Sequence, residues 1–243
     1  MNLVRQFIAM AILLIAHRIL FSGKKKYLYI IFVGIATLFH SMSAIFIVSL
    51  FLERKEIKFK HYIIIIALIL LLGGQIGNIV DFVVTNTPLK DITNIAKYVR
   101  YFKMGGNLTI SSVIVESVIY VYIYVMFNKL KEKNDEVEKE AVFFVNMQTL
   151  TLLCTIMNIH FELFFRVTLL FSIFQVISIP YFWFKNKDES LKFLKFTIKK
   201  GTTVLTILIL CVMSARMIYS NIIKGADQVF TYKTIYDRER EFK

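Results

Sequence analysis

The chain is divided into apolar runs of about 20 residues, the length that crosses a ~30 Å hydrocarbon layer as a helix rising about 1.5 Å per residue. Seven such runs can be read: Val4–Phe21, Tyr27–Leu52, Tyr62–Val84, Leu108–Phe127, Ala141–Asn158, Phe161–Phe184 and Thr202–Ile223. A segment inside lipid must satisfy its own backbone hydrogen bonds, so it is a helix or part of a closed barrel. A barrel would show alternating segments of roughly ten residues, and the sequence has none. The expected fold is all-α, a polytopic integral membrane bundle of about seven transmembrane segments forming one domain over 1–243. Composition agrees: 57% of residues are hydrophobic and 19% charged, against about 45–50% and ~25% in soluble domains. Disorder and an ordinary cytosolic enzyme are excluded.

The formal charge of +13 comes from 30 Lys and Arg against 17 Asp and Glu. These charges lie between the apolar runs, where they orient the chain and meet anionic headgroups. The expected partner surface is therefore the lipid bilayer, and not nucleic acid. Basic clusters occupy Lys24–Lys26, Arg54–Lys60, Lys129–Lys139 and Lys185–Lys200. Seven crossings put the connections after segments two, four and six on one face, which the positive-inside rule makes cytoplasmic. Lys24–Lys26 would then face outward, against the rule. Outside as well would lie the C-terminal tail and the Thr85–Asn107 connection, whose apolar spacing from Ile92 to Phe102 suits an interfacial helix. Asn128–Glu140 alternates Lys and Glu and reads as a solvated helix extension. Only Ile159 and His160 separate the fifth and sixth runs, so they form a tight antiparallel hairpin or one of them breaks at the membrane surface, and Pro180 should bend or end the sixth. Cys154 and Cys211 lie in apolar runs and are expected to be small buried residues; no carboxylate–histidine cluster has metal-ligand spacing, so no metal is expected.

An ionisable group inside a bilayer is costly and marks a site by default. Arg5 and Gln6 open the first run, where Arg5 either binds a phosphate or snorkels to the interface. His40 and Ser43, three apart, share a helix face. They form either a reactive pair or a helix–helix contact. Gln75, Asn78 and Asp81 make a polar stripe in the third run, and Gly73 and Gly77 allow close helix approach. Ser112, Glu116, Tyr120 and Tyr124 recur every four residues, an aromatic and polar face whose Glu116 needs a partner, a proton or water. Glu162 and Arg166 stand four apart in the favourable order, either neutralising each other or leaving Arg166 to face a cavity. Arg216 has no acid one turn away. With Arg100, these arginines fit a hydrophilic cavity for a polyanionic lipid head such as a diphosphate.

Four stretches resemble the EpsG-type (Wzy-like) polysaccharide polymerases of exopolysaccharide and capsule synthesis. They are Val4-Arg5-Gln6-Phe7-Ile8-Ala9, Phe39-His40-Ser41-Met42-Ser43-Ala44, the run from Phe165-Arg166 through Phe171 to Ile179-Pro180, and Tyr232-Lys233-Thr234. Members of that family have further helices before the Arg-Gln opening, so the resemblance implies the C-terminal part of a larger fold. It also implies transfer of glycan repeat units from undecaprenyl diphosphate to a lipid-linked acceptor, in a bacterial cell membrane, with other polysaccharide assembly proteins as partners. No cofactor is implied, because the glycosyl diphosphate carries the activation. Arg5, Gln6, Ser43, Arg100, Arg166, Arg216, Tyr232 and Lys233 would then contact substrate, and His40, followed by Asp81 and Glu116, would activate the acceptor. The rivals are a transporter or flippase of the same lipid-linked intermediates, a noncatalytic truncated protein of the pathway, and a ligase-type glycosyl transfer enzyme.

Overall fold

The computed structural model describes residues 2–22, 26–52, 59–86, 110–133, 138–161, 163–187, 189, 191–193, 196–198 and 200–218. They belong to two compact units, 1–187 and 188–243.

In the first unit, α1 (Asn2–Phe21) is followed by α2 (Lys26–Phe39), a 3-10 segment (Ser41–Val48) and the single turn α3 (Ser49–Leu52). Then come α4 (Phe59–Thr85), α5 (Ile110–Lys133), α6 (Lys139–Met157), α7 (Leu163–Ser172) and α8 (Gln175–Asn186). The class is the expected one. Four spans are long and apolar enough to cross a membrane: Val4–Phe21, Ile110–Lys133, Lys139–Met157 and Phe164–Asn186. Among the described residues the apolar stretches Lys26–Phe39, Ser41–Leu52, Gly201–Arg216 and, within the 27-residue α4, His61–Gly73 are shorter, so four of the seven expected spans meet the criterion of length and hydropathy.

α1 buries a stripe of Gln6, Ala9, Met10, Leu13, Ala16, His17 and Leu20 while Val4, Phe7 and Ile15 face outward. The small Ala9 and Ala16 let α2 pack closely along it through Val33 and Ala36.

The run Tyr27–Leu52 is not one continuous helix. Helical geometry ends at Phe39, and His40 is extended, with φ −147° and ψ 106°. Ser43 N–H donates to the His40 carbonyl at 2.9 Å, opening the tighter 3-10 winding. Tyr29 hydroxyl then donates to the Phe46 carbonyl at 2.8 Å and also pairs with the Ser49 hydroxyl. Twenty helical residues would hold Tyr29 and Ser49 about 30 Å apart. Their contact therefore requires the chain to double back at His40. Packing of the returning limb is aromatic: the Phe46 ring lies 5.2 Å from Phe171 and 5.6 Å from Phe174.

The hairpin closes where it opened. The Leu52 carbonyl accepts from Asn146 Nδ2 at 2.7 Å, two turns into α6, and Tyr62 hydroxyl near the start of α4 reaches Asn146 Oδ1 at 3.5 Å. His17, near the end of α1, has Nε2 3.5 Å from Glu140 Oε1. Glu138 accepts from Tyr181 hydroxyl at 2.6 Å and from Lys185, at the end of α8. One end of the unit thus collects the finish of α1, both feet of the hairpin, and the starts of α4 and α6. At the other end α6 turns into α7 through Asn158–Phe161, the tight connection that the sequence predicts. A Cβ on Gly73 of α4 would fall 2.3 Å from His160 Cδ2 there, so Gly73 admits a side chain of the turn rather than a helix backbone.

α7 and α8 are one interrupted span. Phe174 N–H bonds Phe171 and Val176 N–H bonds Ile173, three-residue turns that replace the helical ladder. The break precedes Gln175, whereas Pro180 sits inside α8, which runs on to Asn186. Asn186 Nδ2 donates to the Met126 carbonyl of α5 at 3.2 Å.

In the second unit, β1 (Leu191–Phe193) pairs antiparallel with β2 (Phe196–Ile198), Leu191 opposite Ile198, ahead of α9 (Gly201–Ile218). The sequence offered no sign of this small hairpin within a charged connection. Lys200 has φ 54°, a left-handed residue that turns the strand into the helix. Cys211 of α9 is exposed and not the buried residue expected, whereas Cys154 of α6 is buried.

Candidate functional site

The hairpin brings together residues that lie far apart in sequence. His40 sits at its apex, half-buried, with Nε2 shielded and without a hydrogen-bond partner among the described residues. Ser43, one turn on, is fully buried, and its Oγ also lacks a partner among those residues. Arg166, in the first turns of α7, is close enough for its charge to act on the His40 imidazole. Its backbone carbonyl accepts from Gln6 Nε2 of α1 at 3.4 Å. Gln6 is thus tied to the segment that bears Arg166, while His40 and Ser43 stand at the apex of the hairpin. Arg5, next to Gln6, is exposed. An imidazole, a hydroxyl and a guanidinium can receive an anion through charge and forked donors while handling a proton beside it.

Glu116 is placed differently. Its Oε2 accepts from Gln175 Nε2 at 2.7 Å and from Gln148 Nε2 at 3.2 Å, and Gln175 Nε2 also reaches Gln148 Oε1 at 3.1 Å. All three are at least nine-tenths buried. The carboxylate thus joins α5, α6 and α8 across the interior. The neighbouring aromatic face is packing: Tyr120 stacks on Tyr124 at 6.0 Å and meets Tyr62 edge-on at 6.1 Å.

Asp81 lies near the end of α4, and its side chain is outside the described residues; Gln75 and Asn78 are exposed. Arg100, Glu162, Tyr232 and Lys233 lie outside the described residues. Arg216 is half-buried in the last turn of α9, in the second unit.

Three features escaped sequence reasoning. Gln148 and Gln175, the partners of Glu116, and Asn146, which anchors the hairpin, were readable as amides inside apolar runs, a mark of interhelical hydrogen bonding. His17 is enclosed by Phe21, Phe143, Phe144 and Phe174, with ring centroids 4.9 to 5.4 Å away. At the membrane surface, hydrogen bonds from Lys185 and then Tyr181 hold the Glu138 carboxyl below the usual carboxylate range.

Several helices long and apolar enough to cross a bilayer mark a multi-pass membrane protein. The chain belongs to the EpsG family, whose family model matches residues 1–234. No curated protein and no solved structure matches it. Family membership points to a polysaccharide polymerase-type function.

Proposed function

We propose that this chain is a membrane polysaccharide polymerase of the bacterial cell membrane, acting in exopolysaccharide or capsule synthesis. It transfers glycan repeat units from undecaprenyl diphosphate to a lipid-linked acceptor. The observation that carries this reading is the hairpin apex of an EpsG-family chain, where His40 Nε2 and Ser43 Oγ are shielded and without a hydrogen-bond partner among the described residues.

In the proposed step the acceptor hydroxyl oxygen attacks the anomeric carbon of the donor glycan. The bond from that carbon to the diphosphate oxygen breaks, and the diphosphate departs with the electron pair. His40 Nε2 takes the hydroxyl proton. Arg166 meets the charge growing on the diphosphate, and Gln6 ties α1 to the backbone that carries Arg166. Arg5, Arg100, Arg216, Tyr232 and Lys233 are further proposed substrate contacts, and Asp81 is a second proposed proton acceptor.

Polymer length in cells tests the assignment. His40→Ala should collapse the polymer ladder to single repeat units at unchanged protein level. A ladder of normal length would remove His40 from the mechanism. Arg166→Lys keeps the charge but loses the forked donors, so it should shorten the ladder; full length would mean that charge alone suffices.

A second reading has an observation in its favour. Two interrupted elements, the hairpin at His40 and the α7–α8 break, pack on each other through Phe46, Phe171 and Phe174. Broken helices facing one another occur in transporters. Purified protein in vesicles separates the two: extension of lipid-linked repeat units supports the polymerase, and translocation without extension supports the transporter.

A further inference from the structure

We propose that Lys26–Leu52 is a re-entrant hairpin that enters and leaves the membrane at the cytoplasmic face, and that its His40 apex is reached from the opposite face. The proposal concerns which side serves the site and stands apart from the reaction carried out there.

The first support is geometric. Tyr29 meets Phe46 and Ser49, and Leu52 is tied to Asn146 near the start of α6, so both limbs lie against the same end of the unit. The fourteen residues of α2 rise about 20 Å, against about 30 Å for the twenty of α1. His40 therefore stops about two thirds of the way through. Gln6 and Arg166, its neighbours, belong to the start of α1 and the start of α7, the parts of those helices remote from the feet of the hairpin.

The second support is charge, and it is independent. Once the hairpin returns, the connections carrying Lys24–Lys26, Arg54–Lys60, Lys129–Lys139 and Lys185–Lys187 all join helix ends on one side of the unit. Arg5 lies near the start of α1, and the sequence between the end of α4 and the start of α5 carries the sparser Lys90, Lys97, Arg100 and Lys103. The positive-inside rule counts Lys and Arg in short connections and assigns the dense side to the cytoplasm. With seven straight crossings Lys24–Lys26 violated that rule; with the hairpin it obeys it. The start of α1 then faces outward, the reverse of the orientation that seven crossings imply.

The third support is chemical. Non-helical backbone at membrane depth persists where protein buries it or where it lines a wet cavity. Ser43 Oγ and His40 Nε2 at the apex are shielded and have no hydrogen-bond partner among the described residues, and Ser41 beside them is exposed. Such groups suit a hydrogen-bonding ligand at the apex, the part of the hairpin farthest from its feet.

Single-cysteine labelling tests this in the full chain, after Cys154→Ala and Cys211→Ala. Ser22→Cys, His61→Cys and Glu132→Cys should react with a membrane-impermeant maleimide in inside-out vesicles only. Asn86→Cys and Ser41→Cys should react in right-side-out vesicles only. Ser22→Cys and His61→Cys flank the hairpin, so reaction from opposite faces would restore a crossing and overturn the proposal. Joint reaction from the outer face would overturn the sidedness. Ser41→Cys that stays unreactive or reacts from the inner face would overturn outer access. As a second measurement, a short bismaleimide should join Tyr29→Cys to Ser49→Cys, and failure to join them would refute the hairpin.

Discussion

Glu116 discriminates between a reactive carboxylate and an interhelical tie. Its Oε2 receives one amide bond from α8 at 2.7 Å and one from α6 at 3.2 Å. A side-chain hydrogen bond between membrane helices contributes about 0.6 kcal/mol on average and up to ~1.7 kcal/mol. Two of them put the loss in Glu116→Ala at about 1–3 kcal/mol. A chain of this size loses roughly 2–4 °C of melting temperature per kcal/mol, so the midpoint should fall by about 2–12 °C. Glu116→Gln keeps an acceptor oxygen toward Gln175 and gives up the charge, and should cost under ~1 kcal/mol. The Gln175–Gln148 bond remains in both variants and limits the damage. The assay is thermal unfolding in detergent micelles, read by tryptophan or thiol-reactive fluorescence, beside polymer length in cells. Activity should follow stability, with Glu116→Gln nearly normal in both. Glu116→Ala that melts like the parent chain yet makes no polymer would refute the reasoning and return Glu116 to the chemistry.

Two further outcomes follow from local geometry. Gly73→Ala places a Cβ 2.3 Å from His160 Cδ2, so overpacking of about 1–3 kcal/mol should outweigh the ~1 kcal/mol gain in helix propensity; the midpoint should fall, and His160→Ala should restore it. An unchanged Gly73→Ala midpoint would contradict the contact. Glu138 has its carboxyl lowered by Lys185 and Tyr181, so its contribution is full above the ordinary carboxylate value of 4.5 and fades as pH falls through its folded value. Because the pair is partly exposed, the contribution is below ~1 kcal/mol. Lys185→Met should flatten the acid limb of a stability-against-pH curve, and an unaltered limb would show that the pair contributes nothing.

The membrane helical class was legible because burying backbone in lipid leaves few solutions, and length alone tests them. Much of the site was legible as well, since a polar residue in an apolar run is expensive enough to stand out; His40, Ser43, Gln6 and Arg166 were all singled out on that ground. Their grouping was not, because helical spacing relates residues within one element and says nothing of which elements meet. Glu116 was visible as costly, yet its amide partners sit 32 and 59 residues away in sequence.

What the sequence determined by itself is the material of the protein: apolar lengths, basic connections, the few polar groups that need partners, and the motifs by which the family is recognised. What only the tertiary structure decided is direction. A run of apolar residues leaves water both by crossing a bilayer and by entering and turning back, and the backbone hydrogen bonds lost at the turn must be offset by the protein around it. The choice at His40 belongs to Tyr29, Phe46, Ser49 and Asn146, whose hydrogen bonds exist only when the limbs fold side by side. That single reversal sets His40 at the apex of a hairpin, which the spacing of apolar residues alone does not show.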